Sequence, residues 1–156
     1  MNINKIIQTI FSPAIFLLIL FLASLLRFLW LDSIPSGFEH DEAANGYAAY
    51  SLALTQRDEY GTFLPLYLKS VGDYRSSFYA LTIIPFIKMA GLNELSVRLP
   101  AAIAGILTVV IVYYLVQEIF NNKNLACLTA FLLAISPWHI IISRLGFDAI
   151  YFPWIF

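Results

Sequence analysis

Polar and apolar positions along the chain are gathered into long uncharged runs separated by short charged knots. From Ile6 to Leu26 there are 21 consecutive residues without a charge. As a helix rising about 1.5 Å per residue, that run covers roughly 31 Å, the thickness of a bilayer's hydrocarbon core. A secretory signal would also follow a basic residue such as Lys5, but its apolar region would run only about 7–15 residues before small side chains at a cleavage site. The length and the Arg27-Phe28-Leu29-Trp30 exit therefore predict an uncleaved span over residues 6–30. Two more uncharged runs of 19 residues each, Leu99 to Gln117 and Leu125 to Ser143, flank the polar turn Glu118 to Asn124. They predict a helical hairpin with spans over 99–117 and 125–138. A fourth run begins at Ala149 and has eight residues to Phe156, too few to cross a bilayer. The chain is accordingly expected to be the front end of a longer protein.

Residues 31–98 form a long loop between the first two spans. Its one apolar stretch, Ser76 to Ile87, has 12 residues and contains Pro85, so a helix lying at the membrane interface is expected there. Lys5 and Lys123 place the N-terminus and the short hairpin turn in the cytoplasm by the positive-inside tendency, and the long loop outside. The loop's own Arg57, Lys69, Arg75, Lys88 and Arg98 weigh little, because loops beyond about 60 residues are weakly governed by that rule. Trp30 and Trp138 then close two spans at one face, as an aromatic belt would. The fold class expected is all-α: one domain over 1–156, a multi-pass transmembrane helix bundle with juxtamembrane helices in its first outer loop.

Composition narrows the function. Hydrophobic residues make up 60% of the chain and charged ones 12%, with a mean hydropathy of +0.78. Soluble domains average about 45–50% apolar and about 25% charged, so a soluble globular domain is excluded. Nine Lys and Arg against ten Asp and Glu leave a net charge of −1, which argues against nucleic-acid binding by a basic surface. The single cysteine, Cys127, excludes an internal disulfide and a thiol-based zinc cluster.

Three charged knots hold the candidate chemistry. After the turn signal Pro35-Ser36-Gly37, the run from Asp41 to Leu54 predicts a helix with acids in its first turn. Asp41 could cap that helix, or His40-Asp41-Glu42 could set a general base at the boundary of water and hydrocarbon. In the second knot, Asp73-Tyr74-Arg75, the Arg75 guanidinium could anchor the following apolar helix or bind a phosphate at headgroup depth. In the third, Ser136-Pro137-Trp138-His139 followed by Ser143-Arg144 and Asp148, Pro137 is expected to bend or end the helix. Arg144 and Asp148, four apart, could pair with each other or face a site. Charges at the edge of hydrocarbon are functional candidates, and the three knots together read as walls of one site.

Phe38-Glu39-His40-Asp41-Glu42-Ala43, Arg98-Leu99-Pro100-Ala101-Ala102-Ile103-Ala104-Gly105 and the third knot, taken in order over nearly the whole chain, resemble the C-superfamily (GT-C) glycosyltransferases of the protein O-mannosyltransferase and aminoarabinose transferase type. The resemblance implies transfer of a sugar from a polyprenyl-phosphate donor with inversion. It implies that Asp41, with Glu42 beside it, is the catalytic position, deprotonating an acceptor hydroxyl as the lipid phosphate leaves. It sets Arg75 where many relatives place a Lys followed by two prolines, as a ligand of the donor phosphate; here Arg75-Ser76-Ser77 carries neither proline. Asp148 is implied as a second acid near the cavity, with Arg144 beside it and His40 completing the substrate-binding set. No cofactor and no metal are predicted, since His40, Asp41 and Glu42 are too adjacent for a ligand set; a divalent cation stays open, because some relatives use one. Expected partners are the polyprenyl-phosphate sugar donor, membrane lipid and a protein, lipid or glycan acceptor, in a bacterial or archaeal cell membrane. The 156 residues alone are expected to be inactive. The competing class is a non-enzymatic transporter or scaffold component, in which the knots would be structural pairs.

Overall fold

A computed structural model describes residues 13–70 and 73–151. Helix α1 (Pro13–Phe28) forms the described part of the expected first span, whose residues 6–12 lie outside the described residues. It turns Leu17, Leu18 and Phe21 outward and Ile19 and Ala23 inward. Helix α2 (His40–Thr55) starts one residue earlier than expected, and its N-cap is Glu39, not Asp41. Glu39 and Glu42 form a capping box, in which the Glu39 N–H donates to Glu42 Oε2 at 3.2 Å, so Asp41 is not needed to close the helix end. Gln56, left-handed at φ 57°, ends α2.

The described chain is mostly helical, as expected, with one small β-hairpin that an all-α reading leaves out. Strands β1 (Tyr67–Ser70) and β2 (Asp73–Ser76) pair antiparallel, Leu68 opposite Arg75 and Tyr67 opposite Ser76. The reason is a two-residue alternation hidden among polar residues: Leu68 turns inward at 3% exposure while Tyr67 and Tyr74 face out. Helix α3 (Phe78–Ala90) follows and keeps Pro85 inside it. Its 13 residues reach about 20 Å, short of the hydrocarbon thickness.

Helix α4 (Glu94–Phe120) overruns the expected span 99–117 at both ends. It opens on Asn93, whose side-chain oxygen accepts the Ser96 N–H at 2.8 Å, so the cap carries the helix through charged residues that hydropathy excluded. Helix α5 (Lys123–Ile135) and helix α6 (Pro137–Arg144) meet at a 59° bend, not in one straight span ending at Trp138. Ser136 is extended before Pro137, which takes the first position of α6, where a missing N–H costs nothing. Among the described residues α4 is the one helix long and apolar enough to cross a membrane; the bent pair α5–α6 would count as a second. The expected start of a fourth span is, as far as described, a short 3₁₀ helix, Asp148–Tyr151; residues 152–156 lie outside the described residues.

Two cores hold these elements. One joins α2, α3, α4 and the 3₁₀ turn through Ala49, Leu52, Tyr79, Ile83, Val97, Ala101 and Ile150. The other joins α1, α4 and α5 through Ile19, Ala23, Val109, Cys127, Ala130 and Ala134. Small side chains at these contacts let helix backbones approach closely, which is how helices associate where water supplies no driving force. Gly105 marks the tightest approach: a Cβ there would stand 2.4 Å from Ser143 Cβ, so α6 can lie on α4 only over a glycine.

Candidate functional site at the N-terminal end of helix α4

The first turn of α2 is fastened to α4 by a buried ion pair. Glu42 and Arg98 are both fully buried. Glu42 Oε1 accepts from Arg98 Nε at 2.9 Å and from the Gly146 N–H at 2.9 Å, while Oε2 accepts from Arg98 Nη2 at 3.1 Å. The remaining Arg98 donors go to the carbonyls of Leu31 (3.1 Å), Pro35 (3.0 Å) and Gly37 (2.6 Å). A charge pair can be kept out of water only when its other hydrogen-bonding positions are filled in this way. Asn45, one turn further along α2, donates to the Gly146 carbonyl at 3.1 Å. Gly146 is therefore held on both sides of its backbone by α2, and a Cβ there would come within 2.9 Å of Val97 Cγ1.

Asp41, adjacent in sequence to Glu42, points the other way, its side chain 55% exposed. Arg75 Nη1 stands 3.4 Å from Asp41 Oδ1, and His40 Nδ1 lies 3.6 Å from the same oxygen. Arg75 is placed by the hairpin: opposite Leu68, on the face β2 turns toward α2, it keeps only 18% of its side chain exposed, and its buried Nε finds no hydrogen-bond partner. Thus the first two knots meet at Asp41 and Arg75, and the first and third at Glu42 and Gly146.

The other expected residues have different surroundings. Arg144 ends α6 and gives its guanidinium to the carbonyls of Leu26, Arg27, Leu29, Trp30 and Ile34, at 2.8–3.4 Å. The carbonyls of Leu26 and Arg27 belong to the last turn of α1, where a cation is favoured by the helix dipole, and the others to the turn that follows it. Arg144 and Asp148 do not pair: α6 stops at Arg144, so the four-residue helical spacing is lost, and exposed Asp148 opens the 3₁₀ turn two residues past Gly146. Arg27, buried in α1, donates to the Ala23 carbonyl (3.0 Å), the Ala134 carbonyl (3.2 Å) and His139 Nδ1 (2.7 Å). Beneath the site, the Tyr79 hydroxyl donates to the Val97 carbonyl at 2.7 Å, and burial pushes this phenol well above its ordinary range, so it remains a neutral donor. Among the described residues no three His, Cys, Asp or Glu side chains gather as a metal site.

Sequence reading assigned no role to Arg98, Asn45 or Gly146. Arg98 did carry a signal: it is a charge at the head of an apolar span, and such a charge requires a partner. Asn45, a lone amide in an alanine-rich helix, was a weaker one. Nothing local marked Gly146, whose importance lies in a contact 104 positions away in the chain.

An exposed carboxylate in the first turn of α2 thus stands beside a guanidinium, while its neighbour Glu42 is tied to the first turns of the long apolar helix α4. The family model described as dolichyl-phosphate-mannose-protein mannosyltransferase matches residues 17–147, and the chain belongs to that family. Membership places it among integral membrane glycosyltransferases that draw on a lipid-linked sugar donor. Neither a curated protein nor a solved structure matches the chain.

Proposed function

We propose that the protein moves a sugar from a polyprenyl-phosphate donor to an acceptor hydroxyl at the outer face of a bacterial or archaeal membrane, its N-terminus in the cytoplasm, by a single inverting displacement. The acceptor oxygen attacks the anomeric carbon, the bond from that carbon to the phosphate oxygen breaks, and its electron pair leaves with the lipid phosphate. Asp41 takes the acceptor proton. Arg75 binds the phosphate through its donor fork, and His40 and Asp148 line the approach. Glu42 and Arg144 act through others: Glu42 ties α2 to Arg98 and Gly146, and Arg144 fixes the end of α1. The observation that supports this reading is the division of labour between neighbouring acids, Glu42 with both oxygens occupied and Asp41 exposed beside Arg75. No cofactor enters the reading.

Membranes containing the full-length protein, given radiolabelled polyprenyl-phosphate mannose, are expected to pass label to an acceptor fraction. A donor left intact while a solute crosses the membrane would overturn the reading in favour of a transporter. Arg75→Gln tests the phosphate ligand. Losing one charge-assisted contact of about 1.5–3 kcal/mol should raise KM for the lipid donor by about 10–100-fold, with a smaller change in kcat. An unchanged KM would remove Arg75 from the donor site.

A further inference from the structure

The loop joining α2 to α3, which lies outside the long apolar helices, carries large apolar side chains on its surface. Tyr60, Phe63, Leu64, Leu66 and Tyr67 are all more than half exposed, Leu66 at 81%, and Phe78 beside them is 56% exposed. A contiguous set of large apolar side chains facing outward marks a contact with something other than water. Two cations and one exposed acid, Glu59, are interleaved with it: Lys69 Nζ lies 5.2 Å from the Tyr60 ring centre, and the Arg57 guanidinium, which also donates to the Gly61 carbonyl at 2.7 Å, lies 5.9 Å from that of Phe63.

The depth of this surface follows from its anchors. Ser77, at the head of α3, donates to the Leu66 carbonyl through both its N–H (3.1 Å) and its hydroxyl (3.0 Å). Two residues on, Tyr79 is bonded to the Val97 carbonyl in the first turn of α4. Val97 stands three residues into the helix, about 4.5 Å along its axis. With α4 crossing the bilayer, Leu66, Tyr67 and Phe78 sit level with its end, where hydrocarbon gives way to headgroups. Aromatic rings with Lys and Arg among them are the side chains that settle at that level, rings among the glycerol groups and cations against phosphates.

We infer that the loop 60–67, with Phe78, is a membrane-docking surface seated in the phospholipid headgroup layer of the leaflet at the N-terminal end of α4, with Arg57 and Lys69 against lipid phosphate. This anchors the hairpin that holds Arg75, so the wall opposite Asp41 is positioned partly by lipid. The inference rests on α4 as a span and is independent of the transfer reading.

The test uses the full chain, with Cys127→Ala as background, in phosphatidylcholine and phosphatidylglycerol vesicles. Leu66→Cys and, separately, Phe63→Cys are labelled with an environment-sensitive fluorophore; both sites are exposed, so neither substitution disturbs the core. The expected result is blue-shifted emission, lost on adding lipid spin-labelled near the headgroup and retained against aqueous iodide. Emission lost to iodide and retained against the spin-labelled lipid at both positions would overturn the inference. So would shielding that appears only when an acceptor peptide is added, which would make the surface a polypeptide site instead.

Discussion

Sugar transfer by the full-length enzyme carrying Asp41→Asn is expected to fall by about 10²–10⁴-fold, the usual contribution of a positioned general base. Asparagine keeps the size of the side chain and one hydrogen-bonding oxygen but cannot accept the acceptor's proton. The fold should not feel the change. The capping box belongs to Glu39 and Glu42, and the contact of Asp41 with Arg75 is a 3.4 Å pair with the carboxylate 55% exposed. Pairs of that kind contribute about 0–1 kcal/mol. Membrane levels and thermal stability of the variant should therefore match the wild type, and the loss should lie in kcat. Near wild-type turnover at saturating lipid donor would remove Asp41 from the catalytic role and leave exposed Asp148 as the remaining candidate acid.

Arg98→Met should have the largest effect on the folded state. It strands Glu42 in a fully buried site and takes the donors from three carbonyls, Leu31, Pro35 and Gly37. Breaking a buried pair from one side costs about 3–5 kcal/mol, because the surviving carboxylate keeps only the N–H groups of Gly146 and Glu39 and has no counter-charge. Since marginal proteins hold only about 5–15 kcal/mol in total, most of the variant should be lost from detergent-solubilised preparations on mild heating. Glu42→Gln combined with Arg98→Met should recover part of that loss, since the stranded charge is then gone. A single variant with the wild-type melting curve would show that the pair does not hold α2 to α4. Activity is expected to follow stability here, in contrast to Asp41→Asn, where activity falls and stability stays.

How much of this was legible before the fold was known differs from element to element. The long helix at 94–120 and the break at Pro137 were visible because both arise locally, from an uncharged run and from a ring that cannot continue a helix. The hairpin at 67–76 was not, since four-residue strands with polar neighbours leave no run for hydropathy to detect. Helix ends were missed for a related reason: Asn93 and the Glu39–Glu42 box carry helices into charged residues that an apolar count excludes.

Within the site the same division holds. That Asp41 and Glu42 lie at a helix start is written in the sequence, as is the family pattern it shares. Which of the two acids is free was decided only by the tertiary structure. Neighbours on a helix point about 100° apart, so one meets Arg98 and the Gly146 N–H while the other meets Arg75 and solvent. Arg144 and Arg75 read alike as cations after apolar or polar runs; one is consumed by carbonyls at the end of α1, the other faces the exposed acid. Side-chain chemistry is local and can be read along the chain, whereas the partner that occupies or frees a charge comes from 34 to 118 positions away and exists only once the helices have packed.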